Sequence, residues 1–160
     1  MSVQRLSHIG LCVADLGRAK RFWCEGLGFQ NIGSIRVAGE PSATLLELRD
    51  VELEAVYLER DGVRLELLHY PVPGHVGEPD VRPMNALGLT HLSFRVEDVT
   101  ETAAALIALG ARKRPGTRVG NPEFAAGAVF LTCPDGARIE LVSMPGDPGQ
   151  LPGQTPQESR

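Results

Sequence analysis

Two short stretches of the chain alternate apolar and polar residues with the period of a β-strand: Ile9, Leu11 and Val13 in one, Leu92, Phe94 and Val96 in the other. Successive strand side chains point to opposite faces, so His8, Gly10 and Cys12 share the second face of the first strand, and His91, Ser93 and Arg95 that of the other. Each strand runs into a helical pattern. Asp15 is placed to cap a helix with apolar positions Leu16, Ala19, Phe22 and Trp23, ended at Gly26 or Gly28. Asp98 caps the second, with Glu101 completing a capping box, Ala104, Ile107 and Ala108 at helical spacing, and Gly110 closing it. Strand-like runs follow: Phe29 to Val37, Leu53 to Leu58 and Val63 to His69, then Ala111 to Arg114, Ala128 to Cys133 and Arg138 to Ser143. Asp61-Gly62 and Asp135-Gly136 suit tight hairpin turns, and Ala43 to Leu48 reads as a short helix inserted between strands.

The same order appears twice because the chain repeats itself. LSHIGLCVADL (Leu6 to Leu16) aligns with LTHLSFRVEDV (Leu89 to Val99) at an offset of 83. DGVRLELLHYP (Asp61 to Pro71) aligns with DGARIELVSMP (Asp135 to Pro145) at an offset of 74, with six of eleven residues identical. The expected fold class is α+β, with tandem βαβββ modules at about 4–70 and 88–145 joined by a proline-rich connector at 71–87. Together they make one domain, 1–145, and a flexible tail follows at 146–160, rich in Gly, Pro and Gln.

Composition narrows the function classes. With 160 residues, 42% hydrophobic and 22% charged, the chain is that of a globular protein large enough for one core without disulfides or a structural metal. A net charge of −4 with no clustered Lys or Arg argues against nucleic acid, whose binding depends on a basic face that releases counterions. No apolar run is long enough to span a bilayer and MSVQRLSHIG lacks a signal-peptide core, so no membrane partner and a cytoplasmic location are expected. Three widely spaced cysteines, Cys12, Cys24 and Cys133, without a C-x-x-C pair read as buried reduced thiols.

The repeat also places chemistry. His8 and His91 are equivalent on the first strands, as are Glu66 and Glu140 on the last, and modules facing one another would bring all four to a common centre. Two imidazoles and two carboxylates suit Zn, Ni, Co, Mn or Fe(II). Carboxylates in the middle of buried strands need a partner, which a dication supplies. Arg64 and Arg138 share strand faces with Glu66 and Glu140, so salt bridges within the sheets are the alternative.

HIGLCVADLGRAKRFWCEGLGF, GLTHLSFRVEDV and DGARIELV together resemble the vicinal oxygen chelate superfamily, the glyoxalase, bleomycin-resistance and dioxygenase proteins, over about residues 4–145. The resemblance implies a cupped mixed sheet with helices on its outer face. It implies one divalent metal ion held by His8, Glu66, His91 and Glu140, a small-molecule substrate with adjacent oxygens, and a homodimer. The ligand order His-Glu-His-Glu is similar to glyoxalase I, whereas methylmalonyl-CoA epimerase usually carries Gln second. The ligand intervals of 58, 25 and 49 look closer to epimerase-like or longer glyoxalase-like proteins. Glu66 stands where ring-cleaving dioxygenases carry His, and metal-free antibiotic binders lack the quartet.

The expected function is therefore that of a divalent-metal-dependent lyase or isomerase, taking a proton next to the chelated carbonyl of a hemithioacetal or acyl thioester. Glu140 is the expected catalytic base with Glu66 as its symmetric partner, and Arg95 is expected at a substrate carboxylate or phosphate. The alternatives are a small-molecule (antibiotic) binding or resistance protein, with or without metal, and a one-domain dioxygenase. The strand from Ile35 to Val37 carries no Glu for a second base, and Glu47 would serve only if its segment folds inward.

Overall fold

A computed structural model describes residues 2–79, 82–121 and 126–150. The chain divides into two compact units, one of Met1–Asp80 with Pro134–Ala137 and one of Val81–Cys133 with Arg138–Arg160.

The first unit contains β1 (Ile9–Cys12), α1 (Leu16–Lys20), β2 (Gln30–Ala38), α2 (Ser42–Leu46), β3 (Glu52–Arg60) and β4 (Val63–Val72). Its four strands lie in the order β1-β4-β3-β2, with β1 parallel to β4 and the other pairs antiparallel. Asp15 stays extended so that its carboxylate accepts from the Arg18 amide at 2.8 Å, which starts α1. The helix then widens into a π-helical segment, Arg21–Gly26, that buries Phe22 and Trp23. Gly28, at φ 69°, supplies the left-handed turn into β2.

Trp23 meets both Phe22 and Phe29 edge-on at 5.6 Å, as expected of core aromatics. Leu58, Leu65 and Leu67 are fully buried, each burial being worth about 1.5–3 kcal/mol. Glu66, between two of these leucines on β4, must therefore point to the opposite face of the sheet.

The inserted segment is helical where the sequence places it, as Ser42–Leu46. Ala43, Leu46 and Leu48 pack with Leu68 and Tyr70 about Val51, Leu53 and Ala55. By strand parity Leu68 and Tyr70 share the face of Glu66, so α2 folds onto that face. Glu47 itself ends the helix in the left-handed region, at φ 56°, and is exposed.

The turn Pro134–Ala137 belongs to this unit through Asp135. Its Oδ1 accepts from the Ala14 amide at 3.0 Å and from Arg18 Nη2 at 2.9 Å, and the side chain is only 6% exposed. Asp61-Gly62, the equivalent turn, is a hairpin with both residues at positive φ and Asp61 exposed.

The second unit contains β5 (Leu92–Arg95), α3 (Val99–Ala108), β6 (Arg112–Lys113), β7 (Val119–Asn121), β8 (Ala126–Thr132) and β9 (Arg138–Ser143). The order is β5-β9-β8-β6, with β7 also pairing β8 and β5 parallel to β9. β7 is additional to the expected βαβββ pattern, since three residues with a central Gly carry no alternation to read.

Asp98 Oδ1 accepts from the Thr100 and Glu101 amides at 2.6 and 2.9 Å, capping α3 as expected. The buried stripe of α3 is Val99, Ala103 and Leu106, whereas Ala104, Ile107 and Ala108, the positions expected to be apolar contacts, are exposed. Every residue from 103 to 108 is apolar, so periodicity alone leaves the face undetermined. Leu106, Leu131, Ile139 and Leu141 are fully buried, completing this unit's core.

Beyond Gln150 the expected tail lies outside the described residues. Among the described residues no helix is long and apolar enough to cross a membrane.

Candidate functional site

In each unit the first strand and the last strand lie side by side and parallel, and this pairing brings a His and a Glu together. Gly10 registers with Glu66, which leaves His8, one residue ahead of β1, with its Nε2 3.1 Å from Glu66 Oε2. Ser93 registers with Glu140, and His91 Nε2 lies 3.5 Å from Glu140 Oε2. The repeat equivalence read from the sequence is thus also a geometric equivalence.

The two imidazoles are held alike. Nδ1 of His8 is 3.0 Å from the Ser7 hydroxyl, and Nδ1 of His91 is 2.9 Å from that of Thr90. Each ring stands edge-on to an aromatic side chain of the adjoining antiparallel strand, Tyr57 at 5.6 Å and Phe130 at 5.4 Å. A hydroxyl both donates and accepts, so it supports either tautomer. With Nδ1–H donating to the hydroxyl, the Nε2 lone pair is available to a metal, the usual arrangement for a ligating His.

The carboxylates are held differently. Tyr57, paired with Glu66 across the sheet, donates its hydroxyl to Glu66; that bond, then burial, pushes the phenol pKa up to about 12. Phe130 occupies the corresponding register with Glu140 and has no hydroxyl; there Ser93 Oγ donates to Glu140 Oε2 at 2.6 Å. The first unit has Gly10 in place of Ser93, and a Cβ there would meet Leu68 Cδ1 at 3.2 Å. Ser7 and Thr90 were legible as hydroxyls at repeat-equivalent positions, whereas nothing in the local sequence marks Tyr57.

The arginines do not neutralise these carboxylates. Arg64 pairs with its cross-strand neighbour Glu59 at 2.6 Å. Arg138 donates to the backbone carbonyl of Arg82, contacts the Met84 sulfur and lies over the Phe130 ring. Burial, and then the charges of Arg114 and Arg82, push the pKa of Arg138 down. Arg95 donates to the carbonyls of Met144 at 2.5 Å and Pro145 at 3.1 Å, tying its guanidinium to the backbone beyond β9.

The donor chemistry fits a divalent ion: neutral nitrogen and anionic oxygen, hydroxyl support behind each imidazole, and among the described residues no arginine paired with Glu66 or Glu140. Each unit presents one imidazole and one carboxylate, and among the described residues no three His, Cys, Asp or Glu side chains form a metal-holding group. Cys12, on the face of His8, is exposed, and burial followed by the charge of Asp135 pushes its thiol pKa up. A thiol held protonated is a poor ligand and nucleophile at neutral pH.

The sequence matches the model of the Glyoxalase/Bleomycin resistance protein/Dioxygenase superfamily over residues 5–141. The uncharacterized protein YaeR of Escherichia coli is 28% identical over 141 residues, spanning 88% of this chain and 97% of that one. A glyoxalase family protein from Bacillus cereus superposes with a TM-score of 0.76 at 24% identity, covering 91% of this chain and 97% of its own. FosX, a fosfomycin resistance protein from Listeria monocytogenes whose crystal structure holds Mn(II) and sulfate, gives a TM-score of 0.55 at 18% identity over 89% and 93% of the two chains.

Proposed function

Because the chain belongs to the glyoxalase/bleomycin resistance/dioxygenase superfamily, we propose that it is a divalent-metal-dependent lyase or isomerase using His8, Glu66, His91 and Glu140 as metal ligands. The observation that carries this reading is the paired geometry: each unit sets one imidazole Nε2 against one carboxylate, with a hydroxyl behind each ring. A divalent ion there would supply Lewis acidity at a substrate carbonyl.

The protein's own part is proton transfer and orientation. Glu140 takes the proton from the carbon next to the carbonyl; in a hemithioacetal its carboxylic acid returns it to the former carbonyl carbon while the hydroxyl proton passes to the former carbonyl oxygen, and in an acyl thioester the proton returns to the same carbon. Glu66, which accepts from the Tyr57 hydroxyl, is its symmetric partner on the metal. The substrate class is a hemithioacetal or an acyl thioester, and the protein acts in the cytoplasm as a homodimer. Support for the dimer is β2, an edge strand of nine residues with Ile32 and Ile35 about half exposed.

The test is elemental metal analysis of untagged protein, as purified and after chelation and reloading with Ni, Co, Zn, Mn or Fe(II). About one ion per chain, lost in His91→Ala and in Glu140→Gln, is the expected result. No uptake under any loading would overturn the reading and favour a metal-free small-molecule binder.

A further inference from the structure

Arg138 is a buried cation without a matching anion. It is 6% exposed, yet among the described residues no carboxylate lies within ion-pair distance of it. Its polar contacts are one backbone carbonyl, Arg82 O, and one thioether, Met84; its guanidinium carbon is 6.0 Å from the Phe130 ring centroid. These offset only part of the cost of withdrawing a guanidinium from water, and arginine cannot shed its proton to escape that cost.

The nearby charges make the imbalance larger. Arg114 bonds through its amide to the Phe130 carbonyl at 3.1 Å, continuing the β6–β8 register so that its side chain leaves the sheet on the face of Phe130, and its charge acts on Arg138. Arg82 directs its own guanidinium to the carbonyls of Leu87 and Leu89, adding positive charge without an acidic partner. A local excess of cations in a chain of net charge −4 is not a general property of its surface.

Position gives the excess a purpose. Arg138 and Glu140 are two apart on β9 and share a face. Phe130 links them, pairing with Glu140 across the sheet, standing edge-on to His91 and lying under Arg138.

We propose that Arg138 and Arg114, in the positive field of Arg82, form an oxyanion-binding subsite beside the His91–Glu140 pair. The subsite's anion-binding chemistry stands on the arginines alone; that the anion is part of the reacting substrate rests on the function proposed above. The ligand it takes is a carboxylate or phosphate group, the planar or tetrahedral oxyanion that a guanidinium fork recognises. This gives Arg138 the role that the sequence suggested for Arg95.

The experiment is calorimetric titration of inorganic phosphate and, separately, acetate into the metal-free full-length protein at fixed ionic strength. One saturable site per chain is expected, and the tighter of the two anions identifies the group. Arg114→Gln is expected to weaken it about tenfold and Arg138→Gln more, with Arg138→Lys between wild type and Arg138→Gln. Because Arg114 is only partly buried, its variant keeps the test usable should the Arg138 variants fail to fold. No saturable binding of either anion, or equal binding by wild type and Arg114→Gln, would overturn the subsite. Measuring both properties on the wild-type protein separates the two ideas: anion binding with no metal uptake sinks the metal reading alone, while metal uptake with no anion binding sinks the subsite alone.

Discussion

Tyr57 donates its hydroxyl to Glu66, while Phe130, at the same register in the other unit, leaves Glu140 to accept from Ser93 on the opposite neighbouring strand. Two carboxylates related by an internal repeat thus sit in different hydrogen-bonding fields. A phenol is a more acidic donor than an alcohol and draws more charge from the oxygen it bonds. The repeat builds the pair, and these substitutions around it give its two members different hydrogen-bond donors.

Removing the phenol tests that difference. Tyr57→Phe is expected to weaken metal affinity by about tenfold, the lower end of what outer-shell changes cost, without abolishing uptake. Competition against a chelator measures it, and an unchanged Kd would show that Tyr57 does not orient Glu66.

The phenols themselves report on the fold. Both tyrosines are shifted up, Tyr57 to about 12 through Glu66 and then burial, and Tyr70 through burial first. Their protonated forms are favoured in the folded state, so this contribution is intact below the unfolded value of about 10 and is lost as pH rises toward 12. Tyrosinate absorbance of the folded protein is expected to appear at higher pH than that of free tyrosine; half-titration at pH about 10 in folded protein would contradict it.

At the acid end the helix caps behave oppositely. Asp15 and Asp98 are held below the usual carboxylate range, first by the Arg18 amide and the Glu101 amide respectively. Their contribution is present above the unfolded value of about 3.9 and disappears as pH falls through the lowered folded values. Asp98→Ala is expected to lower the melting temperature at neutral pH, with the gap closing in strong acid; a gap independent of pH would mean that the cap acts through something other than its charge.

Asp135 offers a stability test away from the site. Asp135→Asn takes the charge from a side chain 6% exposed and leaves Arg18, which is 42% exposed, without its anion. Loss of a well-buried pair costs about 3–5 kcal/mol, and partial solvation of Arg18 reduces the expectation to about 2 kcal/mol in urea unfolding. A change below about 0.5 kcal/mol, the level of an ordinary surface site, would place Asp135 among the indifferent residues.

Thiol chemistry discriminates among the cysteines. Cys12 is exposed and Cys133 buried, and the Cys12 thiol is pushed up by burial and Asp135. Iodoacetamide is expected to label Cys12 ahead of Cys133, slowly at neutral pH and faster above about pH 9. Rapid labelling of Cys12 at pH 7 would reveal a thiolate that this environment does not favour.

Much of this was legible because the chain says it twice. The repeats aligned His8 with His91 and Glu66 with Glu140, and strand parity sets Glu66 opposite the buried Leu65 and Leu67 and Glu140 opposite the buried Ile139 and Leu141. What escaped depends on neighbours distant in sequence. The face of α3 is hidden by a run of six apolar residues, and only packing against β8 and β9 selects Ala103 and Leu106. Arg138 shares a strand face with Glu140 and so suggests an ion pair, but its guanidinium instead meets Arg82 and Met84 in the connector. Arg64 likewise turns to Glu59, which strand pairing brings beside it.

The parallel registers of β1 with β4 and β5 with β9 also govern when the His–Glu pairs form. His8 and Glu66 meet only after the whole intervening chain has looped back, a closure whose entropy is lost before any contact rewards it. On the ribosome, a nascent chain lacking β4 has made every residue of its first helix and its first imidazole, yet possesses no pair. Each His–Glu pair is therefore a late product of folding here, and its appearance marks completion of the topology.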